Sequence, residues 1–519
     1  MGKKYGMKFW ATAMAMFLAV ALVGACSTKN ANNGNTPATV KPENSSVTAP
    51  QEETANATEE HVTLTWYFPG NVQKMTDKAT VEAEMNKILN EKINASIELM
   101  PIDWGAYDQK MNIMSAGGEA FDLMFTAPWS NDYYKNAAKG ALLPLNDLLD
   151  QYAPNLKSVV PEKVWEATKI KGNIYGAINW QIVAMPYGAQ IAKKYVDKYD
   201  IDVASLKTFK DFEPYYEKWD EDYPAFFGGD QFTNAPPYYG FDSVGGDNSV
   251  GWVKLDDPNL TVVNQYASDE FRNIVETYYS WREKGFIPRD AAMNTDERKA
   301  ALNNAGQFEL PGTFSLPLKP GSDLETKAAY GEEFVNITIT EPLITTNRAI
   351  ATMTGISRTS KNPERAAMFL DLMSSDKELY RLMASGVEGK HYTKISENLI
   401  EYIADSSYQP NSDWMFGNQF LGYYTTPEAA EADIWAVTEK LNNEAKASPL
   451  LGFVFDAEPV KSELAQLDSV YSEYSKGLLT GTMNPADKLP EFLDKLNRAG
   501  ADKVIAEKQR QIDEWKKSK

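Results

Sequence analysis

Between residues 62 and 126 the apolar spacing switches back and forth between a period of two and a period near 3.6, and this succession limits the fold more than any other feature. Residues 62–68 alternate apolar side chains with threonine, then run aromatic and stop at Pro69-Gly70, which predicts a strand. Thr76 or Asp77 can cap the helix that follows, on which Val81, Met85, Ile88 and Leu89 share a face. The pattern then predicts a strand over 97–102, a helix over 107–115 stopped by Gly117-Gly118, and a short buried strand over 121–126. Strand, helix, strand, helix, strand is the signature of an α/β fold with an open sheet and right-handed crossovers.

The middle of the chain reads differently. Residues 215–251 are rich in aromatics, glycine and proline, so they predict loops. A helix over 271–284, strands over 336–340 and 349–356, and a helix over 362–373 with Pro363 in its first turn then restore the earlier pattern. Return of the strand-helix pattern after a long insertion predicts two lobes joined by more than one crossing. After Pro427 the spacing is helical, with breaks at Ser448-Pro449 and over 477–485, and helices over 460–474 and 489–515 are expected to cover a lobe.

Composition removes whole classes of function. Cys26 is the only cysteine, so neither an intrachain disulfide nor a thiolate metal cluster is available. His61 and His391 are the only histidines, too few and too widely spaced for zincin, zinc-finger or Ser-His-Asp chemistry. No metal and no cofactor is expected. A net charge of −20 opposes nucleic acid as a partner.

Lys3, Lys4 and Lys8 precede an uncharged apolar run over 9–25, which predicts a signal peptide over 1–25. Val23-Gly24-Ala25-Cys26 resembles the bacterial lipobox, which implies cleavage before Cys26 and lipidation of its thiol. The plainer alternative makes Cys26 a buried apolar residue ending an ordinary membrane anchor. Residues 27–60 contain no aromatic residue, Leu, Ile or Met and cannot offset their ordering entropy by burial, so 26–60 are expected to be a lipidated tether.

Several stretches together resemble family-1 extracellular solute-binding proteins of ATP-driven importers: the lipobox, the opening strand, Phe121-Asp122-Leu123-Met124-Phe125-Thr126 and Gly140-Ala141-Leu142-Leu143-Pro144-Leu145. Gly386-Val387-Glu388-Gly389-Lys390-His391-Tyr392, Gly452-Phe453-Val454-Phe455-Asp456 and the tail through Glu507-Lys508-Gln509-Arg510-Gln511 resemble the LipO-type lipoproteins of Firmicutes. The resemblance implies a two-lobe periplasmic-binding-protein-like fold of type II, with hinge crossovers and a helical C-terminal part. Lobe boundaries are expected at 61–182 with 333–385, and at 183–332 with 386–519. It also implies a monomer on the outer face of the cytoplasmic membrane that grips a small molecule, an oligosaccharide being expected, and passes it unchanged to permease subunits. The competing expectation is an exported glycoside hydrolase using a carboxylate pair, since an aromatic cleft serves either purpose.

Sugars present apolar C–H faces and hydroxyl edges, so flat rings beside amides and carboxylates are the chemistry to look for. At the first strand's end lie Trp66, Tyr67 and Asn71, and after the third lie Thr126, Trp129, Ser130 and Asn131, at the carboxyl edge where open sheets bind ligands. Near the first crossing are Trp180, Gln181 and Tyr187. From the second lobe the resemblance and local loop character add Phe232, Glu388, His391, Trp414, Phe416 and Gln419. Core packing is the alternative for each aromatic. His391 can donate to a ligand hydroxyl or serve as a satisfied structural histidine, and Asp122 is expected to bond nearby backbone.

Overall fold

The computed structural model describes residues 60–218, 232–246, 248–293, 301, 304–306 and 313–518. The expected leader, Cys26, the tether up to residue 59 and part of the expected loop region over 215–251 lie outside the described residues.

Strand β1 (Val62–Gly70), helix α1 (Lys78–Ile93), strand β2 (Ala95–Asp103), helix α2 (Trp104–Gly117) and strand β3 (Leu123–Thr126) follow in the expected order. α1 buries Val81, Met85 and Leu89 and ends on Asn94 in the left-handed region. α2 stops at Gly118, whose φ of +67° is the left-handed cap that glycine adopts without strain. It begins earlier than expected, directly from the end of β2, so Trp104 occupies its first position.

β2 and β3 flank β1 in parallel, with Trp66 opposite Leu99 on one side and Leu123 on the other. The strand Met353–Ile356, which comes back from the second lobe, lies antiparallel to β3, and Ala177–Ile178 closes the five-stranded sheet beside it. Leu64, Trp66 and Phe68 share one parity of β1 and enter the first core, where Trp66 meets Phe369 and Phe416 edge-on. Asp122 accepts from the Thr65 backbone N–H and hydroxyl and from Ser360, the structural use expected of it.

In the second lobe Tyr187–Ala192 runs between Thr313–Pro317 and Phe334–Thr338, antiparallel to both. Gly188 is required there, because a Cβ would lie 1.9 Å from the carbonyl oxygen of Ile337. The second core gathers Trp252, Tyr266, Phe271, Tyr278 and Trp281 with Phe492 from the C-terminal helices. Those helices are Lys461–Leu479, Pro485–Arg498 and Ala501–Ser518. The single helix expected over 489–515 is two, divided at Gly500 with its φ of +100°.

A third link between the lobes pairs Lys446–Ala447 in parallel with Leu343–Ile344. The expected lobe boundary at residue 386 shifts as a result. Tyr408, Met415, Phe416 and Ala445 belong to the first core, so the chain from 386 to 445 packs on the first lobe and crosses only afterwards. The physical reason is a glycine turn: Gly386, at φ +86°, folds the chain back onto the core that the helix Lys377–Ser385 already covers, instead of starting a crossing strand.

Candidate functional site

Among the cavities that the described residues form where the lobes face each other, two hold expected ligand residues. The larger, about 600 Å³, is lined from the first lobe by Gln181, Asp413, Trp414, Gln419 and Trp435 among others, and from the second by the helix Ser322–Tyr330. That helix rests on the second-lobe sheet through Thr326, which donates to Gln190 Oε1 at 2.9 Å, and Ser322, whose Oγ accepts from Asn336 at 3.0 Å. The smaller cavity, about 390 Å³, is lined by Pro128, Trp129 and Tyr134 of the first lobe and by Val244–Gly246 and Phe455 of the second.

Tryptophans join the two. Trp104 stacks on Trp129 with centroids 6.0 Å apart and on Trp414 at 6.2 Å, and Phe125 lies beneath Trp129 and Trp414. Trp104 and Trp129 are 41% and 54% exposed, values that set them apart from the buried tryptophans of the cores. Both follow the carboxyl ends of parallel strands, so the sheet aims them at the cleft.

The turn that carries Trp129 is fixed from several sides. Its Nε1 donates to the Ala351 carbonyl at 2.7 Å. Asp108 of α2 accepts from Ser130 Oγ and from the Asn131 backbone N–H, while Thr126 Oγ1 donates to the Asn131 carbonyl at 2.6 Å. Asn131 takes φ +45°, a left-handed conformation that asparagine tolerates. Thr126, Ser130 and Asn131 are thus buried supports of the turn, with their polar atoms bonded inside the protein.

Around the larger cavity, Gln181 Nε2 donates to Thr352 Oγ1 at 3.3 Å and Gln419 Nε2 to Asp413 Oδ2 at 2.7 Å. Arg381 positions the segment that holds Gln419, since its guanidinium donates to the carbonyls of Leu421 and Gly422 and stacks 3.8 Å over Tyr423. Burial, and then the Asp433 carboxylate that its hydroxyl meets, push Tyr424 up to about 12, so it lines the cavity as a neutral phenol.

Four of the expected ligand residues line the cavities: Trp129, Gln181, Trp414 and Gln419. Trp66, Trp180 and Phe416 are 1% exposed and belong to the first core, because they share parity or packing with its apolar residues. Phe232 is stacked on Trp252 inside the second core, and Tyr187 is buried in the crossing strand. Tyr67 packs against Phe121, while Asn71 and Glu388 are exposed away from both cavities. His391 is fully buried: its Nδ1 accepts from the Val387 N–H and its Nε2 bonds Asp77, which is the structural alternative. Glu388, His391, Trp414, Phe416 and Gln419 all sit on the first lobe, not the second. Trp104 escaped sequence reasoning, although the strand-end rule that selects Trp129 selects it equally.

Residues 73–379 match the family model described as bacterial extracellular solute-binding protein. The chain belongs to that family. A second model, a domain of unknown function, matches residues 449–517 of this solute-binding protein. A carbohydrate ABC transporter substrate-binding protein of Streptococcus pneumoniae serotype 4 is 29% identical over 456 residues, 84% of this chain and 88% of its own. The N-glycan transport solute binding protein of Streptococcus pneumoniae has the same two-lobe type II fold at a TM-score of 0.73 and 24% identity, over 87% of this chain and 98% of that one. Solved with Man1GlcNAc, it aligns at a TM-score of 0.65 and 25% identity, over 87% and 99% of the two chains.

Proposed function

We propose that this solute-binding protein is the lipid-anchored, monomeric receptor of an ABC importer, that it binds an uncharged oligosaccharide between its lobes, and that it delivers the sugar unchanged to permease subunits on the outer face of the cytoplasmic membrane. One observation carries the reading: the stack of exposed Trp104 and Trp129 with half-buried Trp414 runs between two cavities whose walls are rich in amides and hydroxyls. Aromatic faces meet sugar C–H faces, and the amides of Gln181 and Gln419 meet hydroxyl edges. The glycan complex of the Streptococcus pneumoniae neighbour supports the same ligand class.

The charge of the walls argues for an uncharged ligand. Lys319 is the only cation among the described lining residues of the two cavities, and it is paired with Glu325 at 2.7 Å. Asp413 adds a carboxylate to the larger cavity, where it accepts from the Gln419 amide. A uronate or sialate would therefore be desolvated beside like charge.

Lipidation at Cys26 supplies the anchor in this reading, with two acyl chains holding firmly where one is marginal. Thermal unfolding and tryptophan fluorescence of the body from Glu59, measured against neutral oligosaccharides, amino acids and peptides, test the proposal. A sugar-dependent rise in melting temperature with a Kd near the micromolar range, about −8 kcal/mol, is expected. Release of shorter sugars at catalytic protein concentration would establish the hydrolase instead.

A further inference from the structure

Lys508, on the helix Ala501–Ser518 within the segment of unknown function, is completely buried. Its Nζ donates to the carbonyl oxygens of Val244, of Val250 at 2.6 Å and of Gly251 at 3.3 Å, and to Ser249 Oγ at 2.9 Å. No carboxylate among the described residues balances it; burial lowers its pKa, and the hydrogen bonds that these oxygens accept from the ammonium oppose that shift by favouring the charged form. An ammonium with no counter-ion among the described residues is expensive to bury, so its place in the fold needs a reason.

That reason lies in the loop it meets. Gly245, Gly246 and Gly251 have φ values of +75°, +115° and +104°, and this left-handed path turns the carbonyls of Val244, Val250 and Gly251 toward one point. Converging carbonyl dipoles repel each other unless a cation occupies their focus. A Cβ on Gly251 would lie 2.8 Å from Lys508 Cδ, so glycine also makes room for the lysine stem. The Phe455 ring covers the ammonium at 5.2 Å, and Val244, Gly245, Gly246 and Phe455 line the smaller cavity opposite Trp129.

We infer that Lys508 is a positioning residue for the second wall of the cleft: its charge, beyond the packing of its stem, holds Val244–Gly246 and Phe455 where a ligand meets them. The C-terminal segment of unknown function thereby takes part in recognition. Only the ligand readout below rests on the proposed sugar-binding function.

The body from Glu59 is a compact unit in its own right and excludes the single native cysteine, so it suits a chemical rescue. Lys508→Met keeps the stem and removes the charge. Lys508→Cys, alkylated in denaturant with 2-bromoethylamine and refolded, returns an ammonium at nearly the same reach. Hydrogen exchange of the backbone amides over 244–251 is compared with exchange in β1 and in the helix Asp269–Glu283. In Lys508→Met, exchange over 244–251 is expected to rise at least about tenfold while the two controls hold, and the alkylated variant is expected to restore protection. Binding of Man1GlcNAc, followed by tryptophan fluorescence, is expected to weaken and recover in parallel. Exchange unchanged in Lys508→Met, loss spread evenly over the second lobe, or no recovery on alkylation overturns the inference. If no version binds the disaccharide, the ligand reading is what suffers, and exchange still decides the role of Lys508. Should Lys508→Met fail to fold, Ser249→Ala removes one acceptor and is expected to raise exchange over 244–251 about threefold, with no change counting against the inference.

Discussion

The first lobe meets the cleft with indole rings mounted on strand ends and on the turn after Ser412, each braced by backbone hydrogen bonds or by a neighbouring ring. Opposite them the second lobe offers a loop of left-handed glycines closed on a buried ammonium. One wall derives its shape from sheet geometry and the other from a charge at the focus of carbonyls. A wall of the first kind is preorganised before any ligand arrives, and preorganisation is where tight recognition saves ordering entropy. A wall of the second kind stands or falls with one side chain.

The strongest test of the first wall separates the two roles its tryptophans play. Trp66 and Trp129 sit within one sheet region, yet one is core and the other cleft. Trp66→Ala is expected to lower stability by about 3–5 kcal/mol, read as the urea midpoint, because it opens a cavity among Phe68, Phe369 and Phe416. Trp129→Ala is expected to leave that midpoint nearly unchanged and to weaken oligosaccharide binding by about 2 kcal/mol, roughly thirtyfold by calorimetry. If Trp66→Ala costs affinity alone, or Trp129→Ala costs stability alone, the division between core and platform is wrong.

How much of this was legible in the sequence depends on which residues are asked. The α/β order of the first lobe followed from Leu64, Trp66 and Phe68 alternating along β1, and from Val81, Met85 and Leu89 spaced along α1. The same alternation already assigns Trp66 to the inward face, so naming it a ligand residue gave strand-end position more weight than parity. Trp104 was hidden because the helix was expected to start at Tyr107, which left its indole in a nondescript connection. Ser130 and Asn131 lie on the turn that carries Trp129, but sequence alone does not reveal that Asp108 absorbs their hydrogen bonds. The Lys508 focus was beyond reach, since its acceptors are backbone carbonyls more than 250 residues away.

Charge offers a smaller effect that sharpens the contrast of the walls. With Asp413 on the first wall and Lys319 already paired with Glu325, a uronate-bearing analogue is expected to bind at least about tenfold more weakly than its neutral parent at low salt. Added salt should narrow the difference only in part, because ions screen a desolvated site poorly. Equal or tighter binding of the acidic sugar would mean that a cation enters the cleft.

The smallest effect concerns a part of the first lobe that lies away from the cleft. Asp77, at the start of α1, accepts from Lys390 Nζ at 2.6 Å, from Thr80 Oγ1 at 2.7 Å and from His391 Nε2 at 3.1 Å. The Lys390 ammonium first, then the Thr80 hydroxyl and His391, outweigh desolvation and hold its carboxyl at about 2. The folded value lies below the unfolded one, near 3.9, so the linked stability is fully present above about pH 5 and is lost as pH falls toward 2. Because Lys390 is half exposed, solvent screening reduces the contribution to about 1 kcal/mol. Asp77→Asn should therefore trail the parent protein by a constant margin in urea midpoint from pH 8 to 5, and the margin should close between pH 4 and 2. Sugar affinity at neutral pH should be the same for both, since neither Asp77 nor His391 lines either of the two cleft cavities. A margin that ignores pH would remove the ion-pair account of this clamp, and a loss of affinity would tie it to the tryptophan wall after all.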